Sequence, residues 1–298
     1  RGNISVRIAG QAVFDVDDKT AREIYAANPV LPRLYRAYTD LAYFRLPAVS
    51  LDYYDLTPDP PLQEHYDYEQ TMMRTLLNLR PPYPAGEDFL KAQNMELQRQ
   101  SADKGIAALS DIIPCRKDGR LYLWQGDITR LQVDAVVNAA NSALLGCFAP
   151  MHRCIDNAIH SAAGVQLRLA CDRLMQAQGH PEPTGRAKIT DGYNLPARYV
   201  LHTVGPIVRN AEPTRRQERE LADCYNSCLA LADAHCLQSI AFCCISTGEF
   251  GFPQRRAAEI AVDTVRGYLN ITENTTINTI IFDVFSQEDY SIYREILR

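Results

Sequence analysis

Residues 121–141 read LYLWQGDITRLQVDAVVNAAN, and their reading decides the fold. Leu121–Gln125 alternates like a strand with one face in a core. Gly126-Asp127-Ile128 then brings turn chemistry. Ala135-Val136-Val137 is a short continuous apolar run, the pattern of a strand buried on both faces, and the polar Asn138 and Asn141 follow it.

The same alternation continues toward the C-terminus. Residues 154–176 are helical in pattern, with Gly164 dividing them, and residues 199–204 form a strand. A long helix over 212–234 precedes an apolar, β-branched strand over 240–245. A helix over 253–269 (Pro253 near its first turn), a strand over 279–284 and a helix over 287–297 complete the series. Strands alternating with helices predict an α/β layer fold with helices on both faces of the sheet. In such sheets ligands sit outside the carboxyl ends of the strands.

Upstream the composition changes. All nine cysteines lie from Cys115 onward, with five of the six histidines, whereas nine of the sixteen tyrosines precede them. The turn residues around Pro114 and Asp118-Gly119 predict a boundary near 110–118, hence a helical N-terminal extension over 1–112 and an α/β domain over 113–298. Helical spacing is read over 18–27, at Leu34, Tyr35, Tyr38, Leu41 and Ala42, over 61–79 (Met72, Met73, Leu76, Leu77) and over 86–109 (Phe89, Leu90, Ala92, Leu97). These apolar stripes read as packing surfaces. The extension carries no metal or nucleophile motif and is expected to pack on the second domain.

The 298 residues are 46% hydrophobic and 22% charged, with a net charge of −5, which argues against broad binding of a nucleic-acid backbone. No apolar run approaches the roughly 18 residues of a membrane span. The start has no signal-peptide layout. An odd count of nine cysteines in such a chain favours reduced thiols, metal ligation or a reactive thiol over a disulfide framework, and a cytoplasmic setting is expected.

Three constellations fall at strand ends. Asp127 could accept hydrogen bonds from an exocyclic amine, or serve an ordinary turn. Ser246-Thr247-Gly248-Glu249-Phe250-Gly251-Phe252, between a buried strand and a helix, has the glycines and the helix N-terminus needed to cradle a diphosphate. It lacks the Gly-Lys-Ser/Thr of a nucleoside-triphosphate loop. Phe250 and Phe252 could wall a sugar or base, or simply pack. Cys147, His152 and Cys154 have the spacing C-x4-H-x-C, a donor set suited to Zn²⁺. Three clustered ligands leave a position open for water or substrate, as in catalytic sites; buried reduced thiols are the alternative. His160 is a further candidate ligand or a core histidine. Asp156 could act as a general base, orient a ligand or cap a helix, with Asn157 beside it. His202, Cys243 and Cys244 read as strand-core residues.

The order of these motifs resembles that of macrodomains: Gly126-Asp127-Ile128, then Val136-Val137-Asn138-Ala139-Ala140-Asn141, Tyr199–Pro206 and the Ser246–Pro253 loop. The insertion Gly146-Cys147-Phe148-Ala149-Pro150-Met151-His152-Arg153-Cys154-Ile155-Asp156-Asn157 is similar to that of the zinc-dependent macrodomains associated with class M sirtuins. The resemblance covers about residues 115–298 and, loosely, the helical extension. It implies a three-layer α/β/α sandwich around a mixed sheet of about six strands. It also implies ADP-ribose as ligand, with Asp127 and Ile128 at the adenine, Ser246, Thr247, Gly248, Glu249, Phe250, Gly251 and Phe252 at the diphosphate, and Asn138 and Asn141 at the distal ribose. Zn²⁺ would lie on Cys147, His152 and Cys154. Asn141 and Asp156 are the catalytic candidates. The implied activity is zinc-dependent removal of mono-ADP-ribose from Asp/Glu side chains of proteins, with a class M sirtuin transferase as possible partner. A non-catalytic ADP-ribose reader and a deacetylase of O-acetyl-ADP-ribose are the alternatives.

Overall fold

The computed structural model describes residues 62–298. The helical spacing read over 18–27 and 34–42 lies outside the described residues. Backbone contacts divide the chain into two units, Arg1–Leu76 and Leu77–Arg298. This division does not coincide with the compositional boundary near residue 112, because the helix Glu87–Lys104 belongs to the second unit.

The elements are α1 (Leu62–Leu79), α2 (Glu87–Lys104), β1 (Ala107–Ala108), β2 (Pro114–Cys115), β3 (Asp118–Gln125), β4 (Leu131–Gln132), β5 (Ala135–Ala139), α3 (Ile155–Ala163), α4 (Val165–Gln178), β6 (Ala187–Asp191), β7 (Tyr199–Thr203), α5 (Arg215–Ala234), β8 (Ser239–Phe242), α6 (Gln254–Ile271), β9 (Thr279–Val284) and α7 (Gln287–Ile296). The main sheet has seven strands in the order β2-β3-β9-β8-β5-β7-β6, one more than expected. β3, β9, β8, β5 and β7 run parallel, while β2 and β6 pair antiparallel at the two edges. The short β1 and β4 form a separate parallel pair.

The central strands carry the core. Every residue of β9 is buried, and Val136, Val137, Leu201, Ile240 and Ile281 have no exposed surface. Helices α5, α6 and α7 pack side by side, α3 packs with α4, and α2 also reaches α3. The fold is the expected three-layer α/β/α sandwich with a mixed sheet.

Several boundaries differ from the sequence reading, each for a local reason. The segment 154–176 is two helices, because Gly164 takes φ 94 between them. Cys154 is the N-cap of α3, accepting a hydrogen bond from the Asn157 N–H. Helix α2 stops at Gly105, whose φ of 77 ends the helix before residue 109. β8 ends at Phe242, leaving Cys243 and Cys244 outside the ladder as the chain turns toward Ser246 at φ 66. The edge strand β6 was not expected from the sequence.

The turn between β6 and β7 leaves no room at Gly192. A Cβ there would stand 2.0 Å from the Ala197 carbonyl oxygen. That neighbour is backbone and cannot rotate away. Gly192→Ala is expected to destabilise the protein by about 1–3 kcal/mol, read as a lower urea midpoint with an unchanged slope.

Candidate functional site

Because five neighbouring strands are parallel, their C-terminal ends line one edge of the sheet. Across that edge stand Gly126-Asp127 after β3, Phe285 after β9, the loop 246–252 beyond β8, Asn138–Asn141 at the end of β5, and Gly205 after β7. At the usual spacing between strands, β3 and β5 are about 14 Å apart.

At the β3 end, Asp127 caps a short 3-10 turn. Its Oδ1 accepts from the Thr129 N–H (3.0 Å) and hydroxyl (2.6 Å), and its Oδ2 lies 3.7 Å from Lys104 Nζ. Ile128 is buried. Gly126 is needed here, since a Cβ would meet the Trp124 ring at 2.4 Å. Beside it the Phe285 side chain is 82% exposed, and its carbonyl accepts from Gln125 Nε2.

The loop after β8 is folded on itself. The Phe252 N–H donates to the Ser246 carbonyl (2.9 Å) and the Gly251 N–H to that of Gly248 (3.0 Å). Gly251 takes φ 66 with the Val208 carbonyl 2.7 Å from where a Cβ would stand. Thr247 is partly exposed, while Gly248 and Glu249 are exposed. Phe250 is half-buried. Phe252 is 1% exposed, so its ring belongs to the core and cannot wall a ligand. Ser246 is buried, and its hydroxyl has no hydrogen-bond partner among the described residues.

At the β5 end, Asn138 is fully buried. Its Nδ2 donates to Asp156 Oδ1 (2.8 Å) and lies 3.2 Å from His202 Nδ1. Its Oδ1 has no partner among the described residues. Asn141 Nδ2 reaches both the Gly146 carbonyl (3.1 Å) and Asp156 Oδ2 (3.3 Å). Both oxygens of Asp156 therefore accept from site asparagines. Burial pushes its pKa up to about 7, against the pull of the Asn138 hydrogen bond.

The loop between β5 and α3 brings Cys147, His152 and Cys154 together, with their donor atoms all within 4.8 Å of one another. Cys147 Sγ is 3.5 Å from His152 Nδ1, and His152 Nε2 is 3.4 Å from Glu249 of the neighbouring loop. A hydrogen bond from the Cys154 thiol holds the Cys147 pKa down to about 5, while Cys154 is raised by that bond and by burial. All three are half-buried. Two sulphurs and one imidazole, partly open to solvent, fit a tetrahedral zinc with a free position.

His160 does not join them. It forms a deeper, buried group with Cys171 and His202. Its ring packs against Gly146, where a Cβ would come within 2.8 Å, and its Nε2 lies 3.5 Å from Asp156 Oδ1. His202 Nε2 is 2.9 Å from the Thr190 hydroxyl and 3.7 Å from Cys171 Sγ. Both His202 nitrogens have polar protein neighbours, whereas neither ring nitrogen of His160 has a hydrogen-bond partner among the described residues; the group lies buried behind the site.

Comparison with known proteins agrees with this geometry. The Macro domain family model matches residues 137–261. A protein-ADP-ribose hydrolase of Treponema medium is 50% identical over 233 residues, covering 78% of this chain and 88% of the relative. The chain belongs to the macrodomain family. A Staphylococcus aureus protein-ADP-ribose hydrolase is 48% identical over 227 residues, 75% of this chain and 83% of its own. The solved Trypanosoma brucei macrodomain in complex with ADP-ribose is 31% identical with a TM-score of 0.57, covering 76% of this chain and 95% of that one.

Three residues of this macrodomain's site region escaped the sequence reading. Phe285 follows a strand, so the strand-end rule alone would have flagged it. Arg168 is buried, with its Nε donating to the Leu145 carbonyl at 2.7 Å and its guanidinium 4.4 Å from the Phe148 ring centre. Asn78 donates to the Ser161 hydroxyl and accepts from the Met151 N–H. Neither Arg168 nor Asn78 belongs to a local motif.

His202 lowers the macrodomain's stability in acid, and Asp156, whose pKa is raised to about 7, opposes that effect over the same range. Burial lowers its pKa from the ordinary 6.5 to about 3. The unfolded chain thus takes up a proton near pH 6.5 that the folded chain refuses until about pH 3. The contribution is complete above pH 6.5 and is lost as the pH falls. Between pH 7 and 5 the loss should approach about 2 kcal/mol. A His202→Asn variant is expected to show a shallower fall in denaturant-measured stability over that range.

Proposed function

We propose that this macrodomain is a hydrolase that releases mono-ADP-ribose from acidic side chains of modified proteins, with zinc held by Cys147, His152 and Cys154. The observation that carries the reading is the order of groups along the sheet edge. A hydrogen-bonding carboxylate and an exposed aromatic stand at one end, a glycine-containing loop before a helix in the middle, and asparagines beside a metal-type donor set at the other. An extended adenine–diphosphate–ribose ligand has the same sequence of chemistries and a comparable length. The names of the protein's relatives, protein-ADP-ribose hydrolases, support an ADP-ribosylated protein as the substrate.

In this reading Asp127 accepts from the adenine amine and Phe285 covers the ring face. Residues 246–251 and the positive end of α6 receive the diphosphate through backbone N–H groups. Phe252 is left out of ligand contact, with only its backbone shaping the loop. The unpartnered Asn138 Oδ1 and Ser246 Oγ are atoms that a bound ribose or phosphate would satisfy. Asn141 faces the scissile end. Asp156, with both oxygens engaged by asparagines, orients Asn138 and Asn141 rather than moving a proton itself. When bound, zinc would supply a Lewis acid for a water or for ribose oxygens near the scissile bond. A class M sirtuin transferase, which the sequence resemblance implies, would be the source of the modification.

The test is release of ADP-ribose from a protein mono-ADP-ribosylated on Asp/Glu, with and without chelator. Turnover is expected, and chelator should abolish it. Intact modification in both samples, with ADP-ribose still bound by calorimetry, would leave a reader module. Release only from O-acetyl-ADP-ribose would leave a deacetylase. Cys147→Ala and His152→Ala should lose zinc and turnover together. Asp127→Asn should weaken ADP-ribose binding about 10- to 100-fold, the scale of one hydrogen bond to a charged group, with little change in zinc content.

A further inference from the structure

We propose that Asn78, at the end of helix α1 and outside the segment matched by the family model, is a positioning residue for the metal-binding loop. This rests on the zinc reading given above. Asn78 is 1% exposed, and both ends of its side-chain amide are used. Its Oδ1 accepts from the N–H of Met151, the residue before the ligand His152, at 3.0 Å. Its Nδ2 donates to Ser161 Oγ on helix α3 at 2.8 Å. Ser161 Oγ in turn donates to the Asn157 carbonyl (2.7 Å). Asn157 Nδ2 donates to the Ala149 carbonyl (3.0 Å), inside the loop. The Asn157 N–H donates to Cys154 Sγ (3.4 Å), a ligand atom.

The chain Asn78–Ser161–Asn157 therefore grips the span between the ligands Cys147 and Cys154 at two backbone points. That span needs holding. Met151 sits at φ 57, a conformation that an unbranched side chain adopts only when its surroundings enforce it. The same helix end is fastened a second time. Arg168 NH1 donates to the carbonyls of Leu77 (2.9 Å) and Arg80, while its Nε holds Leu145 at the loop's start. Loss of a residue that orients metal ligands typically costs about 10- to 100-fold in metal affinity.

The test compares full-length wild type, Asn78→Ala, Asn78→Asp and Ser161→Ala by two readouts. One is amide hydrogen exchange over residues 146–157 in metal-free protein. The other is the zinc dissociation constant, measured by competition with a chromophoric chelator. Asn78→Ala should speed exchange in that segment while β7, β8 and β9 keep their protection, and should weaken zinc about 10- to 100-fold. Asn78→Asp keeps the acceptor for the Met151 N–H but loses the donor to Ser161 and buries a carboxylate, so it should loosen the segment too. Wild-type exchange and zinc affinity in Asn78→Ala would overturn the proposal. If Asn78→Ala does not fold, Ser161→Ala decides: a loosened loop supports the clamp, and an unchanged one overturns it. Should wild type take up no zinc, the metal reading fails while the exchange measurement still judges the clamp.

Discussion

The hydrogen bond from Asn138 to Asp156 is the constraint on which the rest of the site depends. Asp156 lies in the first turn of α3, where the helix dipole favours a carboxylate, but it is only 5% exposed. A buried carboxylate needs donors, and Asn138 and Asn141 are the ones it has. One side chain thus ties the end of the central strand β5 to the start of α3. Cys154 caps that same helix two residues earlier. The asparagines at the strand end and the C-terminal anchor of the metal-type loop are consequently fixed relative to each other.

The macrodomain architecture was legible because its central strands are short apolar or alternating runs separated by stretches of helical period. β6 was not legible. It is an edge strand in which only Thr190 is buried, so Ala187-Lys188-Ile189-Thr190-Asp191 carries little apolar signal. The Cys147, His152 and Cys154 group was legible because its members lie within eight consecutive residues, and a spacing rule can see that. Asn78 and Arg168 were invisible for the opposite reason. They meet their hydrogen-bond partners across sequence separations of 23 to 91 residues, a relation that only the folded chain creates. Phe252 shows a further limit. The residue pattern Phe250-Gly251-Phe252 treats both rings alike, yet the turn at Gly251 sends one into the core and leaves the other half-buried.

A chain with a net charge of −5 can attract an anionic ligand only locally. The loop 246–252 contains no Lys or Arg, and its one charged residue is Glu249. In the proposed reading, backbone N–H groups and the N-terminus of α6 must therefore do what basic side chains do elsewhere. That explains why the loop's geometry matters more than its charge. Ser246 and Gly251 both take left-handed backbone angles, and each is crowded: Gly205 leaves room for the Ser246 hydroxyl, and the Val208 carbonyl presses on Gly251. A Cβ at Gly205 would fall 2.0 Å from that hydroxyl, so the loops after β7 and β8 are fitted to one another.

The same logic governs the metal-type loop. Leu144, Gly146 and Met151 take φ values of 56, 78 and 57, so this short stretch contains three left-handed residues, two of which bear side chains. Such residues cost about 1–3 kcal/mol each unless the surroundings over-determine them. Here the surroundings do. Asn141 holds the Gly146 carbonyl, Arg168 holds that of Leu145 and stacks on Phe148, Asn157 holds that of Ala149, and Asn78 holds the Met151 N–H. None of these four residues is a donor in the Cys147, His152 and Cys154 set. The loop's shape is thus specified by contacts from residues outside the donor set, which hold its backbone at the Gly146, Leu145 and Ala149 carbonyls and at the Met151 N–H.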